Sequence, residues 1–240
     1  MATVVLVRHG RTTANASGVL AGRSPGVKLD EVGQGQAART AERLAVVPLA
    51  AVVSSPLVRC RQTAAAITGA QAGTVEAELD KAITECDYGE WQGRPLKELA
   101  KEKLWASVQR TPSSVTFPGG ESMRAMQMRG VDAVRRHDAA IEAAHGPEAV
   151  WVAVSHGDVI KSILAEALGT HLDLFQRLHV DPASVSVVRI SGGSPSVLCT
   201  NTHAGDLGWL VPPKKPGRRR RGAAGPADAV VGGGAGPGTA

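Results

Sequence analysis

The chain has 240 residues, 43% of them hydrophobic and 20% charged, enough for one large α/β domain with a substantial core. Six of its 27 basic residues and one of its 22 acidic residues lie from Pro212 onward, so the formal charge of +5 belongs to that tail and the rest is balanced. A balanced domain argues against nucleic acid as a partner. No apolar run reaches the roughly 18 residues of a membrane span, and no secretory signal pattern is present, so a cytoplasmic protein without a membrane partner is expected. Cys60, Cys86 and Cys199 are odd in number and widely spaced, which speaks against a disulfide framework and a zinc site.

Thr3 to Val7 is uncharged and mostly β-branched, the pattern of a buried strand. Asp30 to Ala45 is predicted to be a helix capped by Asp30, with Gly33 and Gly35 weakening its first turn. Leu49 to Ser54 is a second apolar strand, and Pro56 introduces a helix from Leu57 to Thr68. Val75 to Leu79 is expected as a short edge strand. Helices are expected over Leu96 to Val108 and Glu121 to Ala144, the second with a weak point at Gly130. Ala149 to Ser155 is a third strong strand, followed by a helix from Asp158 to Leu168. Val185 to Ile190 and Ser196 to Thr200 form a closing strand pair around Gly192-Gly193. From Pro212 to the end, Pro, Gly, Ala and basic residues dominate, and residues 212–240 are expected to be a disordered tail on a domain of residues 1–211.

Alternating strands and helices with nearly continuous apolar strands imply a mostly parallel sheet covered on both faces. Ligands bind such sheets at the carboxyl ends of the strands. Arg8-His9-Gly10, Ser54-Ser55 and Ser155-His156-Gly157 all fall at such ends, so three segments distant in sequence are brought together.

A histidine can attack phosphorus when it is unprotonated, and neighbouring arginines favour that form by like-charge repulsion. His9 lies between Arg8 and Arg11. Arginine clamps phosphate best because its planar fork binds two oxygens; Arg8 is one candidate, and Arg59 or Arg61 another. His156 is placed to stabilise phosphoryl charge at the start of a helix whose backbone N–H groups also favour anions. A leaving alcohol needs a proton, and Glu85, Asp87 and Glu90 offer three carboxylates in one turn-like stretch. The other five histidines read as ordinary polar residues.

These fragments together resemble the histidine phosphatase superfamily, also called the phosphoglycerate mutase-like family. The residues that carry the resemblance are Arg8-His9-Gly10-Arg11-Thr12-Thr13-Ala14-Asn15, Ser54-Ser55-Pro56 with Arg59 and Gln62-Thr63-Ala64, Glu85-Cys86-Asp87-Tyr88-Gly89, and Ser155-His156-Gly157. Each is weak alone, but four in family order over about residues 3 to 200 are specific. The resemblance implies a three-layer α/β/α sandwich with one mixed, mostly parallel sheet. It implies that His9 becomes phosphohistidine, that Arg8, Arg59 and His156 complete the phosphate pocket, and that Glu85 is the proton donor. It selects Arg59 over Arg61, and Glu85 over Asp87 and Glu90. It places Asn15, Gly22, Tyr88 and Gly157 at the bound substrate, needs no metal or other cofactor, and suggests a homodimer.

The substrate implied is a small phosphorylated metabolite, and the activity a phosphomonoester hydrolase. The mutases of this family carry a lysine where this chain has Leu96, and an Arg-Arg pair where it has only Arg110. Tyr88-Gly89-Glu90-Trp91-Gln92-Gly93 and Phe117-Pro118-Gly119-Gly120-Glu121-Ser122 look more like the phosphatase branch. Three rivals are a bisphosphoglycerate-dependent phosphoglycerate mutase, a metallophosphatase using His9, His156 and Asp158, and a binding module that keeps the pocket without catalysis. Lys97, Lys101 and Lys103 are available for a second anionic group or for a solvated helix face.

Overall fold

Strand β1 (Thr3–Arg8) is buried along its whole length, as its uncharged β-branched sequence dictates. The computed structural model describes residues 2–191, 194–204, 231, 232 and 234. Five further strands join it: β2 (Leu49–Ser54), β3 (Ala77–Leu79), β4 (Val150–Ser155), β5 (Val185–Ser191) and β6 (Ser194–Thr202). They form one sheet in the order β3-β2-β4-β1-β5-β6. β3, β2, β4 and β1 run parallel, and β5 and β6 are antiparallel additions at one side. The sheet is therefore mixed and mostly parallel, with apolar clusters on both of its faces.

The helices are α1 (Thr13–Ser17), α2 (Glu31–Leu44), α3 (Val58–Gly69), α4 (Leu96–Leu99), α5 (Lys103–Arg110), α6 (Met123–His145) and α7 (Gly157–Ala167). Asp30 caps α2 as expected, its Oδ1 accepting from the Gly33 N–H at 2.7 Å. The glycines of that first turn answer to packing. A Cβ on Gly33 would overlap the Arg11 carbonyl, and one on Gly10 would overlap the Gly33 carbonyl. Helix start and the loop after β1 thus touch backbone to backbone, an approach open only to glycine.

Gly130 does not interrupt α6, which runs unbroken for 23 residues. A Cβ there would lie 3.3 Å from Val159 and 3.5 Å from Ile163, so Gly130 is a notch that admits α7. The single helix expected over Leu96 to Val108 is instead two, α4 and α5, because the backbone is extended at Glu102. Glu102 there accepts from Arg94 at 2.7 Å. Leu99 and Val108 each reach the core from their own short helix.

Gly192, Gly193 and most of the tail lie outside the described residues. Within the stretch expected as a tail, Val231, Gly232 and residue 234 are described. Val231 is buried in the main core cluster and Gly232 is hydrogen bonded to Asp158.

Candidate active site

The adjacent strands β1, β4 and β2 deliver His9, His156 and Ser55 to one end of the sheet. His9 and His156 face each other edge to face with ring centroids 5.3 Å apart. Both rings are buried. His9 Nδ1 is 2.7 Å from the Gly10 carbonyl. Only a protonated Nδ1 can bond a carbonyl, so the lone pair of the neutral ring sits on Nε2. Burial and the charges of Arg59 and Arg8 hold His9 well below the ordinary histidine pKa of 6.5. Its Nε2 is therefore a free base at neutral pH.

Arg59 comes from the first turn of α3 and is almost fully buried. Its Nε donates to His9 Nε2 at 3.2 Å, and its Nη2 to the Gly22 carbonyl at 2.7 Å. Nη2 is also 3.3 Å from His156 Nδ1. Nη1 is buried without a hydrogen-bond partner, a costly state for a guanidinium nitrogen that an anion in the site would relieve. Arg8 is buried, with Nη1 donating to the Val180 carbonyl at 2.9 Å. Burial pulls its pKa down, opposed by the carboxylates of Glu85, Asp181 and Asp158.

His156 precedes α7, with Nε2 2.8 Å from Ser55 Oγ. Desolvation, then Arg59 and His9, hold it well below 6.5. A neutral His156 whose Nδ1 accepts from Arg59 donates through Nε2 to Ser55. Cys60 Sγ lies 3.4 Å from His156 Nε2, but burial pushes this thiol up to about 12 and leaves it un-ionised.

Glu85 Oε2 is 3.8 Å from His156 Nδ1, and Oε1 accepts from the Cys86 N–H at 2.9 Å. Burial and the nearby Asp158 carboxylate raise Glu85 from 4.5 to about 7, against the lowering effect of Arg59. A carboxylic acid that is half protonated near neutrality can both give and take a proton. Its backbone carbonyl is held by Arg23 at 2.9 Å and Arg129 at 3.1 Å. Both arginines are anchored on Glu121, which Arg129 grips through two nitrogens.

A cavity of about 200 Å³ opens over His9, Arg59 and Glu85. Asn15 and Gly22 line it. Asn15 is also tied into the capping box of α1, its Oδ1 accepting from Thr12. Arg8, His156 and Gly157 are buried and are not among the lining residues. Tyr88, expected at the substrate, is fully buried, packed on Phe117 at 5.0 Å, and donates to Asp158 Oδ2 at 2.7 Å. It braces the wall without lining the cavity. Among the described residues no three His, Cys, Asp or Glu side chains converge to hold a metal ion. No helix among them is long and apolar enough to cross a membrane.

The family model described as histidine phosphatase superfamily, branch 1, matches residues 4–203. The chain belongs to this superfamily. It is 36% identical over 207 residues to the bifunctional protein Rv2228c of Mycobacterium tuberculosis, a match covering 82% of this chain and 53% of that one. The chain thus spans about half the length of that curated relative. It is 30% identical over 217 residues to phosphoserine phosphatase 1 of Hydrogenobacter thermophilus, covering 86% of this chain and 96% of the relative. Among solved structures, Bacillus stearothermophilus YhfR superposes with a TM-score of 0.73 at 27% identity, over 86% of this chain and 98% of that one. Three parts of this histidine phosphatase site escaped sequence reasoning. Asp158 was considered only as a metal ligand, and the Arg129–Glu121 brace and the Val231–Gly232 contact have no local motif.

Proposed function

We propose that this chain hydrolyses small phosphomonoesters through a phosphohistidine. The observation that carries the reading is the meeting of a neutral His9 Nε2, the unpartnered Nη1 of Arg59 and the raised carboxyl of Glu85 at one cavity. His9 Nε2 attacks phosphorus. The phosphorus–oxygen bond to the alcohol breaks, and Glu85 gives its proton to the departing oxygen. Arg59, Arg8 and His156 offset the charge on the phosphoryl oxygens, where preorganised donors lower the barrier most. Glu85, now a carboxylate, takes a proton from the water that cleaves the N–P bond and is restored. The names of phosphatase relatives support hydrolysis. Leu96, apolar and in the cavity wall, disfavours the mutase reading.

The test is labelling with a 32P-phosphomonoester followed by an alkaline detergent quench. Wild-type protein is expected to release phosphate and carry acid-labile label, and His9→Ala to do neither. Full turnover by His9→Ala overturns the mechanism, and isomerised product without phosphate release favours the mutase. The same reading takes the protein as cytoplasmic and homodimeric, supported by three free cysteines in the first case and by the family resemblance in the second. Light scattering in solution checks the assembly.

A further inference from the structure

The site has a wall that comes from the far end of the chain. Val231 is 2% exposed and belongs to the main core cluster. The Gly232 N–H donates to Asp158 Oδ2 at 2.9 Å, the oxygen that also accepts from Tyr88. Asp158 itself is buried, with Lys161 Nζ 3.1 Å from its other oxygen. The segment is thus fastened to an internal carboxylate and does not merely rest on the surface. Gly232 has φ 76°, and a Cβ there would come within 2.9 Å of Leu20, so both conformation and space call for glycine.

The cavity lining is of two kinds. His9, Arg59, Glu85, Thr12 and Asn15 carry its polar groups. Val19, Leu20, Leu96 and Val231 supply apolar surface, and Gly232 backbone. Among the described lining residues Arg59 is the only arginine or lysine and Glu85 the only carboxylate; Arg59 is bonded to His9 and Glu85 lies beside His156. Lys97, Lys101 and Lys103 are exposed and do not line the cavity. A carboxylate or second phosphate on the leaving group would meet no further cation among the described lining residues, and burying it unpaired costs several kcal/mol per ion. A neutral carbon skeleton would gain about 25 cal/mol for each Å² buried. The volume of about 200 Å³ is below the roughly 300–1,000 Å³ of sites for drug-sized ligands.

We infer that Val231 and Gly232 form a specificity-determining wall that, with Leu20 and Leu96, admits a small phosphomonoester of an uncharged alcohol. This rests on the hydrolase reading for its meaning, but not for its test. The test measures calorimetric affinities of full-length His9→Ala protein, which does not turn over, for n-propyl phosphate and 3-phosphoglycerate. The wall predicts at least tenfold tighter binding of the neutral ester. Adding Val231→Lys, which opens the wall and supplies a cation, is expected to bring the two affinities within threefold. Adding Gly232→Val unseats the segment and narrows the preference likewise, with faster hydrogen exchange in the peptide that contains residue 232. Equal or reversed affinities in the parent, or a preference that neither variant changes, overturn the wall. So does an equal gain for both ligands, which describes a plug. Turnover by the wild type judges hydrolysis separately.

Discussion

In the proposed mechanism, replacing Glu85 with Gln isolates the proton that departs with the alcohol. The substitution is nearly isosteric, and the Gln carbonyl keeps the bond from the Cys86 N–H that Oε1 now accepts at 2.9 Å. An alkyl phosphate needs a proton on its leaving oxygen, whereas p-nitrophenolate departs without one. Loss of a positioned general acid lowers the rate about 10²–10⁴-fold, about 3–5 kcal/mol of barrier. Glu85→Gln is therefore expected to lose that factor in kcat/KM for propyl phosphate and less than tenfold for p-nitrophenyl phosphate. With no base left for the second step, p-nitrophenol should appear as a burst of one equivalent per site in a stopped-flow trace. The wild-type pH profile carries the same signature. Glu85 is protonated below about 7, so kcat/KM for propyl phosphate should fall tenfold per pH unit above it. Equal losses for both substrates, with no burst, would refute Glu85 as the donor.

Three further outcomes concern stability and the clamp. The rise of Glu85 from 4.5 to about 7 corresponds to about 3 kcal/mol at 1.36 kcal/mol per unit. The folded state binds the proton more tightly than the unfolded one, so this contribution is present below 4.5 and lost as pH rises through 7. Glu85→Gln should thus be more stable than wild type at pH 8 by up to about 3 kcal/mol, with the difference shrinking at pH 5 in urea titrations. Arg59→Lys cannot serve His9, Gly22 and a phosphate together, and should lower kcat/KM about 10²–10³-fold in steady-state assays. Gly130→Leu fills the notch against Val159 and Ile163 and should destabilise the fold by about 1–3 kcal/mol in the same urea titrations.

The parallel half of the sheet was legible because β1, β2 and β4 are short apolar runs ended by turn-forming residues. Their ends are where His9, Ser55 and His156 stand. The choice of Arg59 over Arg61 was not legible from residue chemistry, since both are helix arginines. The structure separates them by burial: Arg59 is 2% exposed and Arg61 is exposed. The buried position of Tyr88 was not legible because an aromatic beside Glu85 gives no sign of which way it points. Its partner Asp158 is 70 residues away. The break between α4 and α5 depends on Arg94 reaching Glu102, a tertiary choice among residues that all favour helix. Val231 and Gly232 were hidden for the opposite reason. A glycine-rich stretch has no periodicity, and its contact is made by a backbone N–H that any sequence carries.

The meeting of Gly33 with the loop after β1 changes how variation in this chain reads. On helix propensity alone, Gly33→Ala is an improvement worth about 1 kcal/mol. Here the added methyl would push on the Arg11 carbonyl, two residues from His9. That overlap with backbone outweighs the gain in helix propensity, so a screen for thermostable variants and a screen for active ones would both reject the substitution. A position 24 residues along the chain from His9 would be inherited as if it belonged to the site.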